Sequence, residues 1–142
     1  MKYLLDTDHI TFLLERSGSE YAALISRIAQ HPSADFAFSI VSFHEQTLGR
    51  HAFLNRARTA AQLIRGYSLL MNTLQTYTTM PVLPFDAAAE AVFSGLKAQR
   101  IRVGTMDLRI AAIALSRGLI LLTRNKRDFG RVPGLLIEDW TV

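Results

Sequence analysis

The sequence predicts an α/β protein, a three-layer α/β/α arrangement around a central parallel sheet, on three observations. Short apolar runs, KYLL, FAFSIV, PVLPF, LILLT and LLI, are each too brief for a helix. They alternate with longer stretches of helical periodicity, and apolar strands separated by helices are the pattern of a parallel sheet covered on both faces. Acidic residues mark where several runs give way to helix or turn, the region in which such sheets bind ligands.

Residues 2 to 6 read as a short buried strand, after which Thr7 or Asp8 caps a helix to about Glu15. Ser17-Gly18-Ser19-Glu20 breaks the chain and leads to a helix over about 20 to 30, with Leu24, Ile25 and Ile28 on one face, ended by His31-Pro32. Phe36 to Val41 is the second strand, and Ser42 begins a helix to about Gly49. Ala52 to about Tyr77 stays helix-compatible, as two helices or one bent helix with Gly66 midway. Pro81 to Phe85 is a strand, Asp86 caps a helix to about Arg100, and Thr105 caps another to about Arg117 that Gly118 ends. Leu119 to Thr123 is a continuous apolar strand, Asn125 to Phe129 a turn, and Leu135 to Ile137 a last short strand.

At 142 residues, with no linker, repeat or low-complexity tract, residues 1–142 read as a single domain. The absence of cysteine excludes disulfides, zinc-thiolate sites and a thiol nucleophile. Asp6 leaves no room for a signal-peptide core, and no stretch approaches the roughly 20 apolar residues of a membrane span, so a soluble cytoplasmic protein is expected. Net charge is +4, from 16 basic residues, 13 of them arginine, against 12 acids. Arginine favours planar contacts with phosphate, which is compatible with an acidic polymer as partner.

Four acids stand out: Asp6 after the first strand, Glu45 after the second, Asp107 opening a helix, and Asp128 after the LILLT strand. Each also has a local explanation. Asp6 or Asp8 can cap the first helix, and Ser42-Phe43-His44-Glu45 matches the S-x-x-E capping box. Asp107 suits the macrodipole of a helix start, and Asp128 can close a turn with Asn125. A cap, however, does not ask four chain segments to converge. If they do, each ionised pair at ~4 Å repels by about 4 kcal/mol at an effective dielectric near 20. For an oxygen-only site the usual neutralising partner is Mg²⁺ or Mn²⁺, and metal-assisted phosphodiester hydrolysis is the reaction such a site implies.

The blocks LLDTDHI, SFHEQTLGR, GTMDLRIAAIAL and LLTRNKRDFGRVPGL, in this order over nearly the whole chain, resemble PIN-domain proteins, specifically VapC-type toxin ribonucleases of toxin–antitoxin pairs. The T-x-N-x-x-D-F run at Thr123, Asn125, Asp128 and Phe129 is the most specific part. The resemblance implies a PIN-like fold, Mg²⁺ or Mn²⁺ dependence, cleavage of an RNA substrate, a cognate antitoxin and a homodimer. It matches Asp6, Glu45, Asp107 and Asp128 to the family's four acids, with Asp6 and Asp107 as direct metal ligands, and Thr123 and Asn125 as site support. Gln46 departs from the apolar residue that many relatives carry after the glutamate.

Arg124, Lys126 and Arg127 surround Asn125 and are candidates for holding RNA phosphates, or form an exposed, solvated turn. Arg50, Arg56, Arg58 and Arg65 mark the polar side of the mid-chain helices, whose apolar positions exceed one buried stripe and suit a second subunit or an antitoxin segment. His44-Glu45-Gln46-Thr47-Leu48 lacks the second histidine of a zinc-protease motif, and His9, His31, His44 and His51 show no ligand spacing. Two rival functions remain. Asp6-Thr7-Asp8 nearly matches aspartate-nucleophile phosphatases, with Asp6 attacking phosphorus and Asp8 as acid/base. The other is a non-catalytic RNA- or protein-binding module.

Overall fold

The structure, a computed structural model, describes residues 1–142. Its elements run β1 (Tyr3–Leu5), α1 (Thr7–Glu15), α2 (Ser19–Ile28), a 3₁₀ turn (Ser33–Asp35), β2 (Phe36–Ser39), α3 (Ile40–Arg56), α4 (Ala60–Tyr77), β3 (Val82–Leu83), α5 (Ala87–Ala98), α6 (Thr105–Arg117), β4 (Ile120–Leu122), α7 (Lys126–Phe129) and β5 (Ile137–Glu138). All five strands pair in parallel, in the order β3-β2-β1-β4-β5. Chain order therefore builds outward from β1 on one side, then crosses back to place β4 on its other side. The crevice at the end of β1 is such a reversal point.

Alternation along the strands produces the three layers. Leu4, Ala37 and Leu121 point to one face, where they meet Ala89, Phe93 and Leu96 of α5 and Leu108, Ala111 and Ala112 of α6. Tyr3, Leu5, Phe36, Phe38 and Leu122 point to the other, against Ile10 of α1, Leu24 of α2, Tyr77 of α4 and Trp140. Fully burying a leucine or phenylalanine of this kind contributes about 1.5–3 kcal/mol. The sheet is thus covered on both faces, the α/β/α fold expected.

Several boundaries differ from the sequence reading. Helix α3 starts at Ile40 because Ser39, not Ser42, is its N-cap, accepting the Ser42 amide at 2.9 Å. It runs on to Arg56 instead of stopping near Gly49. The break between the mid-chain helices falls at 57 to 59, where the Thr59 side chain accepts the Gln62 amide and the Gln62 side chain accepts the Arg58 amide. Gly66 bends nothing. It lies inside α4 against α3, where an added Cβ would stand 2.5 Å from Leu54 Cδ2. Gly104 rather than Thr105 is the N-cap of α6, the turn at Asn125 to Phe129 closes into α7, and β5 is displaced to Ile137–Glu138.

Candidate active site

Asp6 follows β1 directly and extends its pairing, its amide donating to Leu122 O of β4 at 2.9 Å. It occupies the N-cap position of α1, yet its side chain makes no cap hydrogen bond. The residue is 5% exposed, and its carboxylate accepts the Thr123 hydroxyl at 2.8 Å. Burial pushes its pKa up to about 8, helped by the negative charges of Asp8 and Asp107 and opposed by the Thr123 hydroxyl and the adjacent Thr7 amide.

Asp107, in the first turn of α6, is half-buried, and its pKa is pushed up to about 6 by burial and then by Glu45, Asp128 and Asp8. The four segments named by sequence therefore converge closely enough for their charges to act on one another. Asp107 feels Glu45 and Asp128, and Asp6 feels Asp107. Across the sheet edge the order is Glu45 beyond β2, Asp6 at β1, and Asp128 beyond β4. None of the ion pairs in the molecule involves Asp6, Glu45 or Asp107, whereas Asp128 has Arg131 at 3.8 Å.

The change of cap on α3 releases Glu45 from the capping box. Its carboxylate instead takes the Thr7 hydroxyl at 3.0 Å, and Thr7 Oγ1 lies 3.0 Å from Ser42 Oγ, which in turn is 3.2 Å from Ser39 Oγ. With one proton per hydroxyl, the chain Ser39, Ser42, Thr7 delivers its last proton to the carboxylate. Gln46 is buried. It accepts the Tyr77 hydroxyl at 2.6 Å and donates to Thr11 at 3.2 Å, so an amide fills a position where the surroundings supply both partners. The Tyr77 phenol is shifted up, first by burial and then by Glu45 and Asp6.

Asn125 caps α7. Its Oδ1 accepts the Asp128 amide at 3.2 Å, and its Nδ2 donates to Asp128 Oδ2 at 3.1 Å. Thr123 Oγ1 accepts the Asn125 amide at 3.0 Å while donating to Asp6, so the two support positions tie β1, β4 and α7 together. Of the basic trio, Arg124 has its guanidinium over the Phe12 ring, 5.5 Å from the centroid. Lys126 and Arg127 are exposed on α7.

Sequence reasoning left Asp8 and Thr7 out of the central set. Asp8 Oδ1 is 2.7 Å from His9 Nδ1, and Asp8 Oδ2 accepts the Arg124 amide at 2.9 Å. The buried His9 accepts the Trp140 amide at Nε2, 3.1 Å away, so Nδ1 carries the proton that goes to Asp8. Both Asp8 oxygens are engaged in holding the β4–α7 connection and α1. That occupancy disfavours Asp8 as the acid/base of a phosphatase. The signal for Asp8 was the D-x-D spacing itself; Thr7 had none beyond its adjacency to Asp6.

No family model matches the chain. Over 64 residues it is 47% identical to the tRNA(fMet)-specific endonuclease VapC of Shigella flexneri, a match spanning 42% of this chain and about half, 48%, of that protein. Over 99% of its length it is 28% identical to the tRNA(fMet)-specific endonuclease VapC of Salmonella typhimurium, covering 98% of that protein, and 29% identical to ribonuclease VapC2 of Haemophilus influenzae, again covering 98%. Among solved structures it is similar to a DNA-bound VapBC from Salmonella typhimurium, with TM-score 0.77, 26% identity, and coverage of 99% of this chain and 98% of that one. It is also similar to VapBC-1 from nontypeable Haemophilus influenzae, with TM-score 0.70, 27% identity and full coverage of both chains.

Proposed function

We infer that the chain, which belongs to the VapC-type PIN-domain family, is the RNA-cleaving toxin of a toxin–antitoxin pair and hydrolyses RNA phosphodiester bonds with the help of Mg²⁺ or Mn²⁺. The observation that carries this reading is the pair Asp6 and Asp107. Both have their carboxyl pKa values raised by burial and by neighbouring acids, and neither has a cationic partner in the protein.

That donor set fits a hard divalent cation, since all its ligating atoms are oxygens and its negative charge is uncompensated. No three of the His, Asp and Glu side chains form a ready-made metal-binding group, so the fit rests on the chemistry of the donor atoms. Asp6 and Asp107 would hold the cation directly, with Glu45 and Asp128 beside them. When bound, it supplies activation of a water molecule and stabilisation of negative charge on the phosphodiester oxygens. The remaining work belongs to the chain's own residues. Thr123 fixes the rotamer of Asp6, the Ser39–Ser42–Thr7 hydroxyl chain fixes Glu45, and Asn125 fixes Asp128. The exposure of Lys126 and Arg127 on the short helix that carries Asp128 supports contacts with phosphates flanking the cleaved bond.

An antitoxin is the protein partner. Leu63, Ile64, Tyr67, Met71 and Leu74 of α4 are exposed, and this apolar surface supports docking of an antitoxin segment there. A homodimer is the further assembly that the family implies, and sedimentation of the free toxin tests it. No helix is long and apolar enough to cross a membrane.

Incubation of the purified protein with mixed cellular RNA in Mg²⁺, Mn²⁺ or EDTA tests the activity. tRNA is the first substrate to try, because two relatives are named tRNA(fMet)-specific endonucleases. Cleavage in metal that EDTA stops is expected; RNA left intact under every metal condition, or cleavage indifferent to EDTA, refutes the reading.

A further inference from the structure

We propose that the groove between α1, α3 and α4 is the tract in which the single-stranded RNA lies on the Glu45 side of the reacting acids, with Gly49 as its open floor and Arg50 and Arg65 as its phosphate contacts. This rests on the nuclease reading and deepens it. The groove has a volume of about 670 Å³ and has Glu45 in its lining, so a strand whose phosphate meets the acids has this space beside it. Its lining is mostly polar, including Thr11, Asn72 and Ser17, which suits a sugar–phosphate chain better than an apolar ligand.

Gly49 is the sharpest indication. It lies within α3, four residues after Glu45 and therefore on the same helix face. Glycine inside a helix is less stable than alanine. Packing does not demand it here, because an added Cβ would meet nothing within 4 Å. Gly66 on the facing helix differs, since there Leu54 leaves no room. A glycine that weakens its helix, is not required by packing and lines the same groove as Glu45 leaves that groove open.

The two arginines differ in their restraint. Arg50 Nε donates to the buried Thr73 hydroxyl at 3.1 Å, which itself donates to Leu69 O at 2.9 Å, so the guanidinium is held with its two terminal nitrogens free of protein partners. Arg65 is exposed on α4 with no ion pair. Glu15 and Glu45 balance these charges within the lining. The groove is therefore not a general polyanion patch, and its cations act at two discrete points. Lys126 and Arg127 stand beyond β4, on the Asp128 side of the acids, so a strand crossing the sheet edge has cations at both ends of its path.

The test measures binding of a short fluorescein-labelled single-stranded RNA of mixed sequence by anisotropy in EDTA over a range of salt, alongside melting temperature and, in Mn²⁺, cleavage. Gly49→Leu is expected to melt no lower than the parent yet bind RNA at least tenfold more weakly and raise KM. Arg65→Gln is expected to weaken binding severalfold and lower the slope of log K against log salt by about 0.7, the single-strand value for one phosphate contact. Wild-type affinity and salt slope in both variants overturn the proposal even if the parent cleaves RNA. Conversely, weakened binding in both variants of a parent that never cleaves RNA upholds the groove and removes the nuclease reading.

Discussion

Replacing Asp6 by asparagine should make the metal-free protein more stable while ending its activity. The Asp6 carboxyl, ordinarily near 3.8, stands at about 8 in the folded chain. A carboxyl whose folded pKa is raised binds its proton more tightly when folded. Its charge therefore costs nothing below about pH 4, costs progressively more as pH rises, and reaches its full penalty above about 8. Each pH unit in that window corresponds to about 1.4 kcal/mol, so at pH 7 the penalty is on the order of 4 kcal/mol. Asparagine is nearly the same size, never ionises, and its carbonyl can still accept the Thr123 hydroxyl that is 2.8 Å from Asp6. Urea denaturation in EDTA, across pH about 4.5 to 8.5, should show the two proteins alike at the acid end and Asp6→Asn ahead by a few kcal/mol at the alkaline end. A variant no more stable than its parent at pH 8 refutes the claim that Asp6 is a destabilised, uncompensated charge.

The same physics governs the other perturbations. Mn²⁺ should raise the melting temperature of the parent, more strongly at pH 8 than at pH 5 because protons compete for the carboxylates, and should leave Asp6→Asn nearly unmoved; equal stabilisation of both in calorimetry places the ion elsewhere. Thr123→Val keeps the shape but removes the hydroxyl donated to Asp6, a hydrogen bond that is worth about 1.5–3 kcal/mol once the carboxyl is charged; stability above pH 8, where Asp6 is ionised, should fall by about that amount and kcat with it, and unchanged values in both assays contradict the bond's role. Gly130→Ala would put a Cβ 2.5 Å from the Lys126 carbonyl oxygen at the end of the helix carrying Asp128. The shift this forces should cost about 1–3 kcal/mol and lower cleavage, and a variant with wild-type stability and rate shows that α7 tolerates displacement.

The fold was legible because its strands are apolar and its helices punctuated. Asp86 caps α5 through the Ala89 amide at 2.9 Å, and Gly118 ends α6 in a left-handed conformation at φ 65°, both as their residue types announce. The start of α3 was not. Ser39 and Ser42 are both competent caps, and the choice falls to pairing of Ser39 with Leu83 of β3, a contact that local sequence does not contain. The Thr59 cap, and the Gln62 side chain that accepts the Arg58 amide, lie in the sequence, but a mid-helix glycine reads as a break, when Gly66 serves close approach instead.

At the site, each acid had an adequate local explanation, and the structure separates these cases by partners. Asp86 behaves as a cap, whereas Asp6 at a cap position makes no cap bond and Glu45 is drawn away to Thr7. The convergence itself depends on the crossover that brings β4 beside β1, which a spacing pattern does not encode. The support given by Thr7 and Asp8 was hidden for the same reason, since their partners Glu45, Thr123 and Arg124 lie far along the chain.

Diffraction from crystals soaked in Mn²⁺, recorded at the manganese absorption edge, reads the ion's position without relying on activity. An anomalous peak bridging the carboxylates of Asp6 and Asp107, and absent from Asp6→Asn crystals, is expected. Manganese bound away from both residues, or bound equally well in the variant, contradicts the assignment of this acidic pocket as the metal-dependent centre.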